Sequence, residues 1–293
     1  MELRQKAKEL IKGAIDFHIH PGPDIFPRPM NDIEIAERAK AAGMSAVLLK
    51  SHVESTAARA FLANFVTGFP VFGGLALNYS VGGLNPEAVR TALRMGAKEI
   101  WMPTINAQHY LKAVDNVPMF AKLLKGDLQG ISIINDDKTL KDEVKEIIDA
   151  VAEADAILAT GHISVEEAFI LITEAKKSGV ERLVVTHPTS PMEAYTIQEM
   201  KDIVARGAMV EHVVNDTTHQ MKNPIPPSVI ADAIRAVGPE HTIMSTDSGQ
   251  VINPEPVISM ENFIYEMLKL GIDEADIKMM TRDNPAKMIG IEL

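Results

Sequence analysis

His18-Ile19-His20 sets two imidazoles two residues apart within an apolar run. On an extended strand side chains alternate, so both rings project to one side and can grip one ion. His162 and His187 each follow a later apolar run, and Asp247 follows the last. Four imidazoles and a carboxylate make a mixed nitrogen and oxygen set that suits zinc, manganese, iron or nickel. Any one of these histidines alone reads as a hydrogen-bonded structural residue. Their repetition at the ends of separate runs is what points to a metal.

What would bring such residues together is a set of parallel strands. Short apolar runs fall at 14–17, 45–49, 71–77, 99–102, 157–160, 182–186, 208–213 and 242–245, each followed by a segment of helical periodicity. Eight such units predict an α/β fold, a closed (β/α)8 TIM barrel. The helices carry start signals: Asn85-Pro86 is an N-cap with proline at the first helical position, and Ser164 with Glu167 and Thr196 with Glu199 fit capping boxes. Between Thr104 and His162 the spacing is too long for one unit. A ninth run at 131–134 predicts a small hairpin insertion between strands four and five, over 126–138. The rival reading divides the chain into two domains near Gly126. A single domain over 1–293 is the expectation, with an extra helix over 1–13 ahead of the barrel.

The C-terminal ends of barrel strands face one mouth. There the sequence places His18 and His20, Lys50 and His52, Asn78, Thr104, His162, His187, His212 or Asn215, and Asp247. Six of nine histidines lie at or just past strand ends. His109, in the loop 106–109, is expected to overhang the mouth. Lys50, His52 and His109 are candidates for bridging a metal or contacting substrate, each with a structural role as the plainer reading.

Asp16-Phe17-His18-Ile19-His20, the later His162 and His187, and the late Asp247 together resemble the amidohydrolase superfamily over nearly the whole chain. Asn284-Pro285-Ala286-Lys287-Met288-Ile289-Gly290 resembles the segment with which many such barrels end. The resemblance implies a divalent transition metal, zinc first, with manganese, iron or nickel as alternatives, in one or two ions. It makes His18, His20, His162 and His187 the imidazole set and Asp247 both ligand and proton shuttle, with His187 holding a second metal or contacting the substrate. Many binuclear members bridge their metals with a carboxylated lysine or a glutamate from strand four. The segment 99–104 supplies neither at its end, so one ion is the default, and Lys50 on strand two is the nearest substitute. The implied activity is hydrolysis of a C–N or C–O bond in a small molecule, an amide, lactone or ester. The alternatives are a metal-dependent decarboxylase of an unsaturated or aromatic acid, a lactonase without metal, and, last, a binding protein.

The remaining composition narrows the field. The 293 residues carry a formal net charge of −11 and no cysteine, which excludes disulfides, thiolate metal sites and cysteine nucleophiles. Acidic balance argues against nucleic acid, and no apolar run reaches the roughly 18 residues of a membrane span. A cytoplasmic enzyme is expected, and by analogy with such barrels a homo-oligomer. Gly73-Gly74 and Gly82-Gly83 do not form a phosphate loop, and Ser248 lacks the GxSxG elbow. Pro21-Gly22-Pro23-Asp24 reads as a stiff rim loop with a lid as the alternative, and Trp101 and Met102 as core or pocket wall.

Overall fold

In the computed structural model, which describes residues 2–118 and 129–293, the strands are β1 (Ile15–Ile19), β2 (Ala46–Leu49), β3 (Val71–Ala76), β4 (Glu99–Trp101), β5 (Ile157–Ala159), β6 (Arg182–Thr186), β7 (Ala208–Val213) and β8 (Thr242–Ser245). They form one parallel sheet in sequence order, with each strand pairing the next. β8 returns to β1 through Asp247 N to His18 O at 2.9 Å and His20 N to Ser248 O at 2.8 Å. The Asp16 carboxylate adds to this seam, accepting the Thr246 backbone N–H at 3.0 Å and its hydroxyl at 2.6 Å. The result is the (β/α)8 barrel that the eight runs predict.

A helix follows each strand, and the local signals explain the helix boundaries. Asn85 accepts from the backbone of Glu87 and Ala88, and both capping boxes are closed. Glycines at 43, 96, 179, 207, 238 and 271, each just past a helix, all have positive φ. The N-terminal helix Glu2–Leu10 lies on the outside, where Arg4 donates to Asn262 and sits 3.6 Å from the Tyr265 ring centroid. At the other end, the helix Asn284–Ile289 carries Asn284, which donates to the carbonyls of Pro239 and Thr242 and ties the chain to the base of β8.

After β4 comes a helix at Gln108–Ala113. The expected hairpin at 126–138 and the domain division near Gly126 lie partly or wholly outside the described residues. From 129 onward, Ile131 bridges Ala107, Ile134 bridges Leu140, and the helix Asp142–Glu153 then leads to β5. β4 and β5, on either side of this interval, are neighbours in the one sheet. Among the described residues no helix is long and apolar enough to cross a membrane.

Two apolar layers lie between strands and helices, and a third fills the barrel. Ile15 and Phe17 belong to the interior while Ile19 belongs to an outer layer, so alternation breaks between them. The pairing of β1 with β2 shifts register over the same interval. Such a bulge re-aims the side chains beyond it. Strict alternation from Ile15 and Phe17 would have sent His18 and His20 into the helix layer; the bulge turns both into the barrel.

Candidate metal centre

At the mouth, His18 Nε2 lies 3.2 Å from His20 Nε2, and Asp247 Oδ1 lies 3.2 Å from the first and 2.9 Å from the second. Ligand atoms on bonds of about 2.1 Å at tetrahedral angles stand about 3.4 Å apart, close to this triangle. Two buried imidazole nitrogens and a carboxylate oxygen of partly buried Asp247 face one another, a donor set that a cation fits. Asn215 Nδ2 donates to the other oxygen of Asp247 at 3.0 Å and sets its rotation. Asp247 and His187 both have positive φ, +51° and +28°. That conformation costs a non-glycine residue energy and is found where a site over-determines it.

His162 and His187 stand beside this triangle, with ring centroids 5.0 Å apart and His187 6.1 Å from His18. Together with Glu193, one ligand atom of each lies within 4.8 Å of the others, a second group able to hold an ion. Gly161 makes the approach of His162 feasible. A Cβ there would fall 2.3 Å from the Met102 carbonyl oxygen, and its φ of +57° suits glycine.

Glu193 and Glu211 were not legible as site residues, and the structure gives them matching positions. Glu211 Oε1 is 3.2 Å from His18 Nδ1, and Glu193 Oε2 is 3.0 Å from His187 Nδ1. A carboxylate on Nδ1 fixes ring orientation and tautomer and leaves Nε2 for the ion. The signal for Glu211 was its parity with Met209, which packs inside the barrel. The same parity sends His212 outward to Thr189 Oγ1 at 3.1 Å, so of the two strand-seven candidates only Asn215 lines the pocket.

Burial drives the site's electrostatics. It pushes the imidazoles of His20, His52 and His162 well below the ordinary range, so they are neutral. In His187 burial also lowers the pKa, but Glu193, Asp216 and Asp247 more than reverse it, to about 9. Burial raises Asp216 well above the usual carboxylate range.

The other candidates divide. His52 lines the pocket, stacks on His20 at 4.6 Å, and is held by Thr104 Oγ1 at 2.9 Å. Asn78 supports it, donating to the His52 carbonyl and to Thr104 Oγ1 while accepting from the backbone of Thr104 and Asn106. Lys50 points inside the barrel beneath the histidines, fully buried, with Nζ 5.0 Å from the Trp101 ring centroid. It faces Asp247, Glu211 and Glu99, whose charges oppose the lowering of its pKa by burial. His109 does not line the pocket; its Nε2 is 2.9 Å from the Met192 carbonyl, joining the loops after β4 and β6. The rim loop is pinned from outside by Arg59, which donates to the carbonyls of Pro21 and Pro23 and pairs with Asp32.

The eight-stranded barrel, with histidines and an aspartate at its mouth, is similar in fold to several solved enzyme structures. The solved structure of an amidohydrolase from Pseudomonas aeruginosa is similar at 12% identity and a TM-score of 0.60, with 97% of this chain and 98% of that chain covered. The organophosphorus hydrolase from Deinococcus radiodurans is similar at 15% identity and 0.58, covering 97% and 94%. The 2,6-dihydroxybenzoate decarboxylase from Rhizobium is similar at 12% and 0.59, covering 95% and 99%. At such identities the likeness is one of fold. The chain belongs to a family of unknown function, DUF6282, whose model matches residues 13–211. A search of curated protein sequences finds no match.

Proposed function

We propose that this chain is a metal-dependent hydrolase acting on a C–N or C–O bond of a small molecule, an amide, lactone or ester. The observation that carries the reading is the triangle of His18 Nε2, His20 Nε2 and Asp247 Oδ1 opening on a pocket. His18, His20 and Asp247 would hold one divalent ion, and His162 and His187 with Glu193 a second; zinc, manganese, iron and nickel all suit these donors. A bound ion at such a site acidifies water toward neutral pH and polarises a carbonyl.

The chain's own groups supply positioning and proton transfer. Asp247, its Oδ2 oriented by Asn215, accepts the proton of the attacking water and returns it to the leaving nitrogen or oxygen. Glu211 and Glu193 hold the rings of His18 and His187 through Nδ1. His52, packed on His20, walls the pocket. The similar structures include hydrolases and a decarboxylase.

Elemental analysis of protein purified without added metal tests this, with His18→Ala and Asp247→Ala alongside. The expected result is about one equivalent or more of a transition metal, lost in His18→Ala, with hydrolysis detected in a screen of amides, lactones and esters. A native protein that carries no metal and takes up neither zinc nor manganese would overturn it.

A further inference from the structure

The loop after β7 brings a second feature to the pocket wall. Asp216 and Gln220, four residues apart, both line the pocket that opens on the metal triangle, and both are at least 95% buried. Asp216 Oδ2 and Gln220 Nε2 have no hydrogen-bond partner within the protein. A buried polar atom without a partner costs free energy, so two such atoms on one pocket wall are either strain or a binding surface awaiting a ligand.

Their neighbours favour the second. The loop is anchored at both ends of this stretch, with Asn215 N bonded to Thr246 O and Ile225 N to Asp216 O. Asn215 and Thr218 are bonded to each other as well. On this firmly held loop, an acceptor and a donor of two pocket-lining residues are left without a protein partner. Asp247 lies on the same wall and Glu193 stands behind His187, so Asp216 sits among other carboxyl groups.

Given the hydrolytic site proposed above, we propose that Asp216 and Gln220 form the substrate-recognition edge of that site and select an uncharged molecule presenting an amide, –CO–NH–. The N–H donates to Asp216 Oδ2, and the carbonyl oxygen accepts from Gln220 Nε2. An ester or lactone offers the carbonyl but no N–H, leaving Asp216 unpaired, so the pair discriminates amides from their oxygen analogues. Sites built to receive a particular N–H reject the analogue that lacks it far more strongly than apolar pockets reject a missing methylene. A carboxylate substrate likewise offers oxygens but no N–H, leaving Asp216 Oδ2 unpaired.

Binding, read without turnover, tests this. Saturation-transfer NMR titrations would compare three probes on the metal-loaded protein. These are δ-valerolactam, cyclohexanone, which keeps the ring and carbonyl but has no N–H, and glutarate. The lactam is expected to bind about tenfold more tightly than the ketone, the worth of one hydrogen bond to a buried carboxyl group. Asp216→Leu should erase that difference and leave ketone binding in place, whereas Gln220→Leu should weaken both. Circular dichroism and metal content would verify that each variant folds and loads. Equal binding of lactam and ketone to the native protein, tighter binding of glutarate, or failure of the lactam to bind at millimolar concentration would overturn the assignment. Discrimination by a protein that binds no metal would leave this edge standing and remove the hydrolase reading; metal without discrimination would do the reverse.

Discussion

Glu211 Oε1 lies 3.2 Å from Nδ1 of His18, with both side chains almost wholly buried. The contact joins β7 to β1 across the barrel and leaves only Nε2 of His18 facing Asp247 and His20. Removing the charge while keeping the shape tests its role. Glu211→Gln is expected to weaken metal binding by about 10- to 100-fold, the usual cost of losing such a carboxylate partner. Competition against a chromogenic chelator, with circular dichroism to verify folding, would measure it. Unchanged affinity would reduce Glu211 to a packing residue.

Glu193 predicts a proton-affinity change instead. Burial alone lowers the His187 imidazole, and Glu193 is the largest influence that raises it to about 9. In metal-free Glu193→Gln, the His187 titration followed by ring-proton NMR should move down toward or below the ordinary histidine value near 6.5. A midpoint that stays near the native one would show that Glu193 does not govern this ring.

The seam between β8 and β1 makes stability depend on pH. Burial pushes the Asp16 carboxyl up to about 7, against the hydrogen bonds from Thr246 that favour its charged form. The folded chain therefore keeps this proton where the unfolded chain, with an ordinary carboxyl near 3.9, has released it. The folded state binds the extra proton between those two values, so its share of stability falls as pH rises from about 4 to about 7. In Asp16→Asn that share of the slope should vanish. Urea midpoints at several pH values would show it, and parallel curves for the two proteins would refute it.

Asn78 is a structural test of the pocket wall. Its amide serves four hydrogen bonds that connect the loops after β2, β3 and β4. Asn78→Ala leaves buried N–H groups of Thr104 and Asn106 and the His52 carbonyl without this partner, a loss of about 3 kcal/mol. Chemical denaturation should show the lower midpoint, and His52 should lose its fixed position against His20. A change under about 0.5 kcal/mol, typical of surface substitutions, would mean other groups take over these bonds.

Much of the architecture was legible in the chain. Strand runs, capping boxes and glycine stops are local, because they depend on alternation and on backbone groups a few residues apart. The spacing of His18 and His20 alone ensured that both rings share a side. Which side faces the axis is not local: it depends on the bulge in β1, set by pairing with β2. Positive φ at His187 and at Gly161 likewise aims the rings of His187 and His162, a matter of how strand ends meet their neighbours. Glu211 and Glu193 gained their meaning only from residues 193 and 6 positions away that folding set beside them. His212 and His109, equally plausible by type and place, were turned outward or into a loop contact. Residue types and local periodicity determined the barrel and its histidines; the partners of those histidines, and the edge formed by Asp216 and Gln220, were decided by packing, since burial and convergence are properties of the closed barrel.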